Sequence, residues 1–68
     1  MTEQIEKAFT YYTPKGNQVE RYTCIRDTGK QFANLIDELC LGSQEKALAI
    51  TKLEECVMWA NASIARNE

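Results

Sequence analysis

Two stretches of this chain repeat apolar residues at steps of three and four, and one short break separates them. Val19, Tyr22, Ile25, Gly29, Phe32, Ile36 and Leu39 form the first stripe; Ile50, Leu53, Val57, Ala60 and Ile64 form the second. Residues three and four apart share one side of an α-helix, so each stripe is the inner face of a helix. Leu41-Gly42-Ser43 lies between them. Gly42 suits the left-handed position after a helix end, and Ser43 can cap the helix that follows. The spacing predicts a first long helix of about 23 residues, on the order of 35 Å, and a second from Gln44 to Ala65. Helices joined by so short a turn fold back on one another. The fold class is therefore all-α, an antiparallel helical hairpin in a single domain, residues 1–68.

The hairpin has an N-terminal preface. Thr2 to Phe9 can make a short helix with Ile5, Ala8 and Phe9 on one side. Two turns are not stable alone in water, so this helix is expected to dock on something. Thr10 to Gly16 reads as an extended loop, because Pro14 pushes Thr13 out of the α region and Gly16 permits a tight turn. Asn17 followed by Glu20 is the spacing of a capping box at the head of the first long helix.

The C-terminal stripe has a companion that a hairpin cannot cover. Ala49, Cys56, Trp59 and Ser63 lie on a different face, and from Val57 to Ala65 the residues are apolar or small nearly all round. A helix apolar on most sides is buried on most sides. One antiparallel partner does not provide that cover, so further copies of the chain are expected to. Size argues the same way. A chain of 68 residues is short enough that folding usually calls for a disulfide, a metal, a partner or very regular packing. Cys24, Cys40 and Cys56 are odd in number and widely spaced, and the segment from Met1 to Ala8 does not read as a signal peptide. They are expected to be buried thiols in a reducing compartment. The chain has no histidine and no CxxC pair, so no zinc site, redox motif or other metal site is expected. Self-association remains.

Charge and composition remove several function classes. A net charge of −2 argues against a duplex nucleic-acid binder, which carries a basic face. No apolar run nears the roughly 20 residues of a membrane span, so a soluble protein is expected. A general base, an activated nucleophile and a phosphate-cradling glycine loop are all missing, so no enzyme and no cofactor are expected. The pairs Asp37/Glu38 and Glu54/Glu55 read as solvated helix faces. Asn61-Ala62-Ser63 matches a glycosylation acceptor but falls inside a helix of a chain with no secretion signal.

Three features ask for more than packing. Gly29 sits mid-helix, where glycine costs about 1 kcal/mol relative to alanine; close helix packing explains it, as does close approach of a ligand or a symmetry mate. Arg26 and Lys30 share a helix face beside the apolar stripe, with Lys15 in the loop before it. Solvated charges are the plain reading, but an arginine there can grip a phosphate with two hydrogen bonds. Tyr11 and Tyr12 serve either as loop packing or as stacking faces for a base.

These residues sit in recognisable surroundings. Phe9-Thr10-Tyr11-Tyr12-Thr13-Pro14-Lys15-Gly16-Asn17-Gln18-Val19-Glu20-Arg21-Tyr22 and Thr51-Lys52-Leu53-Glu54-Glu55-Cys56-Val57-Met58-Trp59-Ala60-Asn61-Ala62-Ser63-Ile64-Ala65-Arg66 resemble the phage anti-CBASS cyclic-oligonucleotide sponges. The hairpin of that family is shared with anti-Thoeris sponges. The resemblance implies a phage protein in the cytoplasm of the infected host that captures cyclic oligonucleotide messengers before the effector senses them. It also implies a hexamer, a trimer of dimers, with cyclic dinucleotides held between paired subunits. A tyrosine and a lysine line that site in the family, and their places fall on Tyr11 and Arg26, an arginine where the family has lysine. Tyr12 can take the ring's place, and Lys30 is a further candidate. A separate cyclic trinucleotide site falls on Thr28 and Arg66. The resemblance leaves room for the cyclic ADP-ribose signals of Thoeris. The residues by themselves fit equally well a helical-hairpin oligomer that docks on a protein partner.

Overall fold

The computed structural model describes residues 2–68, with Met1 outside the described residues. Three α-helices follow one another, α1 Thr2–Phe9, α2 Gln18–Leu39 and α3 Gln44–Asn67. Among the described residues there is no strand. α2 and α3 form the antiparallel hairpin that the two apolar stripes predict, and α3 runs two residues past Ala65.

The helix ends differ from expectation in three places. α2 stops because Cys40 turns extended, at φ −110° and ψ 135°, with its N–H still donating to the Ile36 carbonyl. Gly42 is not left-handed; Gly16, at φ 55°, is the positive-φ glycine of the described chain. The link from Cys40 to Ser43 is long enough to reverse the chain without a left-handed residue. At the head of α3, Ser43 caps as expected, its Oγ accepting the Lys46 N–H at 3.1 Å. At the head of α2, Asn17 makes no side-chain cap bond, because its own backbone is already near helical at φ −91° and ψ 16°. Gln18 replaces the capping box. Its Oε1 accepts the Lys15 N–H at 3.0 Å, and its own N–H donates to the Lys15 carbonyl at 3.0 Å. That reciprocal pair pins the loop around Gly16 and explains why Gln18 is a buried polar residue.

α2 and α3 are in close contact at Gly29. A Cβ there would lie 2.5 Å from Val57 Cγ2, well inside van der Waals contact. The mid-helix glycine thus has a packing cause: it lets two backbones approach at the cost of helix propensity.

Little else is enclosed. The molecule measures 42 × 29 × 12 Å, the thickness of one helix layer. Its radius of gyration is 14.8 Å, whereas a compact chain of this length has about 11 Å. It exposes 5589 Å², against roughly 4,400 Å² for a folded monomer of this mass. Ile64 is the buried apolar side chain of the described residues, while Phe9, Leu39, Leu41, Met58 and Trp59 all stand exposed. α1 buries none of its residues, so the docking expected of it is shallow within the chain, a contact with the end of α3 through Lys7 and Asn67. The cysteines depart from expectation in the same way. Cys24, Cys40 and Cys56 are exposed free thiols, because one layer of helix has no second layer to cover its outer faces.

Candidate functional site

The open end of the hairpin, away from the Cys40–Ser43 link, carries a groove of about 350 Å³. α1 supplies Lys7 and Ala8, the loop Thr10 and Tyr12, α2 Tyr22 and Arg26, and α3 Asn61, Ala62, Ala65 and Arg66. Antiparallel packing explains the gathering. Residues about equally far from the turn face one another, so the first turns of α2 meet the last turns of α3. The small residues Ala62 and Ala65 leave room where larger side chains would fill the space.

Electrostatics give this groove its character. Lys7, Arg26 and Arg66 come from three separate helices, and among the described residues no carboxylate lines the groove, in a chain of net charge −2. Glu68, two residues past Arg66, is engaged elsewhere. Glu68 forms a two-pronged ion pair with Arg21, whose Nη1 donates to Oε2 at 3.3 Å and whose Nη2 contacts Oε1. The Arg21 hydrogen bond holds the Glu68 carboxyl below its ordinary range, against a smaller opposing effect of burial. Lys15 Nζ donates to the Glu68 carbonyl at 2.8 Å, which ties the Gly16 loop to the end of α3. Arg66 is oriented by a ring: its guanidinium carbon lies 5.8 Å from the centroid of Trp59, within cation–π range. Asn61 Oδ1 is buried without a hydrogen-bond partner. The groove therefore offers cations and rings, which suits an anion carrying an aromatic base.

Two further grooves lie along the hairpin, each about 300 Å³. One is apolar and holds Thr28 between Cys24, Ile25, Phe32, Leu53, Cys56 and Val57. The other is lined by Arg26, Lys30, Ala33, Ile50 and Glu54, with Gly29 and Val57 at its floor.

Of the residues singled out from sequence, Tyr12, Arg26 and Arg66 meet in the cationic groove. Arg26 also borders the groove that contains Lys30. Tyr11 is 83% exposed and lines none of these three grooves. Thr28 and Arg66 line different grooves of one chain. Lys7, Thr10, Tyr22 and Asn61 are groove residues that sequence reasoning passed over. In the sequence Tyr22 falls in the apolar stripe, and Asn61 in a glycosylation-like triplet. Pairing the two helices outward from the turn would have set both opposite each other.

The Acb2/Tad1 hairpin-domain family model matches residues 1–65, nearly the whole chain. The chain belongs to the Acb2/Tad1 hairpin family. These are phage sponges for cyclic oligonucleotide signals, of the anti-CBASS and anti-Thoeris kind, and the hairpin is a binding domain. The searches of curated proteins and of solved structures each returned no match. Among the described residues no helix is long and apolar enough to cross a membrane.

Proposed function

We propose that this chain sequesters the cyclic oligonucleotide messengers of CBASS, cyclic dinucleotides first and cyclic trinucleotides at a second site. The observation that carries this reading is the convergence of Lys7, Arg26 and Arg66, with no acid, beside Tyr12 and Tyr22. A cyclic dinucleotide bears two phosphates and two bases, so it needs several cations and stacking faces at once. Tyr11 and Arg26, with Tyr12 and Lys30, serve the dinucleotide; Thr28 and Arg66 serve the trinucleotide. The chain holds its ligand intact, as a sponge does.

The sites are completed by assembly, with a hexamer, a trimer of dimers, as the functional form. Two observations support this. The chain exposes on the order of 1,200 Å² more than a folded monomer of its mass should, which exceeds the roughly 800 Å² that each partner buries in a standard interface. Thr28 and Arg66 also line separate grooves, so one ligand touching both draws them from different copies.

The test is a thermal shift followed by titration. A messenger at 100-fold its Kd stabilises the folded protein by about 2.7 kcal/mol, and heating then releases it unchanged. The panel comprises cyclic dinucleotides, cyclic trinucleotides and cyclic ADP-ribose, the last because the family includes anti-Thoeris members. Tyr11→Ala and Arg26→Ala each weaken dinucleotide binding by about 1–3 kcal/mol and spare the trinucleotide. Thr28→Ala does the reverse, and Arg66→Ala, which removes a cation from the dinucleotide groove as well, weakens both. Parallel loss of both ligands in every variant would mean one groove serves both, and light scattering of a folded monomer at micromolar concentration would remove the assembly.

A further inference from the structure

α1 is the odd element of this fold. It buries none of its side chains, yet it delivers Lys7, the one groove cation that belongs to neither hairpin helix. A helix of eight residues is too short to persist in water on its own propensity. Among the described residues, one exposed hydrogen bond ties its polar face to the hairpin, from Lys7 Nζ to Asn67 Oδ1 at 3.3 Å. That is a long bond between a full positive charge and a neutral amide oxygen. The last turn of α1 is finished locally, the Thr10 hydroxyl donating to the Glu6 carbonyl, so the helix is a self-contained unit on a loop.

We infer that α1 is an arm that closes over the cationic groove when a phosphate ligand enters, with Lys7 exchanging the Asn67 amide for a phosphate oxygen. The exchange is favourable because a bond between two charged partners is shorter and about twice as strong as one to a neutral acceptor. Asn67 is exposed, so water satisfies its freed oxygen and little opposes the switch. Arg26 and Arg66 lie on the long helices and cannot follow a ligand; Lys7 can, because its helix is anchored so lightly. Lys7 is thereby a binding residue that couples ligand entry to the ordering of residues 2–9. Local openings that are cheap in the free protein become expensive in the complex.

This inference rests on the sponge reading, and the experiment separates the two. Amide hydrogen exchange is measured on the full chain with and without a saturating cyclic dinucleotide, alongside calorimetric affinities for wild type, Lys7→Gln and Lys7→Arg. Residues 2–9 should exchange fast in the free protein and at least tenfold more slowly in the complex. Lys7→Gln should bind about three- to tenfold more weakly, the range between an exposed ion pair and a charged hydrogen bond, and its α1 should stay fast-exchanging. Lys7→Arg should restore both, which excludes a mere loss of helix propensity. If wild type binds but Lys7→Gln binds equally well, or α1 stays unprotected in the wild-type complex, the arm is overturned and the sponge stands. If wild type takes up no cyclic dinucleotide or trinucleotide, both fall.

Discussion

The groove at the open end and the apolar groove around Thr28 are nearly the same size, about 350 Å³ and 300 Å³, yet they have opposite chemistry. The first gathers side chains from all three helices and the loop. The second is made by α2 and α3 alone, where Gly29 allows a close approach to Val57. Volume therefore says little about what either groove holds; the number of elements that contribute to it says more. A groove built where the chain is loosely assembled can collect charges from distant positions. A groove built on the tight helix contact displays the sides of the hydrophobic stripes.

The contrast is broken most forcefully at the tight contact. Ile64 is the buried apolar side chain of the described hairpin, and Ile64→Ala should cost about 2–5 kcal/mol in a denaturant melt. Gly29→Ala comes next. Its new methyl meets Val57 Cγ2 at 2.5 Å, an overpacking cost of about 1–3 kcal/mol against a gain in helix propensity of about 1 kcal/mol. The net loss should be erased in the double variant with Val57→Ala. If Gly29→Ala is stabilising by itself, the close approach is not what the glycine serves.

Charges at the open end should behave in the opposite way, sparing stability while sharpening or abolishing binding. Arg66→Ala should leave the melting midpoint within about 0.5 kcal/mol of wild type. The smallest effect belongs to the Arg21–Glu68 pair. The folded-state pKa of Glu68 lies below its unfolded value, chiefly through its hydrogen bond with Arg21. Its stabilisation is therefore present above the ordinary carboxylate range and is lost as pH falls through the folded value. A series of melts on acidification should show a slight extra decline that Glu68→Gln removes. Both groups are exposed to solvent and salt, so high ionic strength should shrink the difference.

The hairpin was legible because helical periodicity is a local signal. Two stripes and a capping serine follow from residues close in sequence, and the structure keeps both. That Asn17 does not cap and that Gly42 is not left-handed was not legible, because each depends on backbone angles that neighbouring segments impose. Gln18 took over the cap once Gly16 bent the loop toward it. The buried cysteines rested on the average behaviour of thiols, and a single helix layer has too little interior to honour it.

Sequence alone determined that this chain makes one helical hairpin with more apolar surface than the hairpin can cover, since spacing and composition dictate both. It also contained every cation of the groove without indicating their association, because Lys7, Arg26 and Arg66 are far apart along the chain. Tertiary structure alone decided that they meet. The reason is geometric: antiparallel packing, in a register held by Gly29 against Val57, brings the head of α2 beside the tail of α3, and the Gly16 loop swings α1 across the end they share.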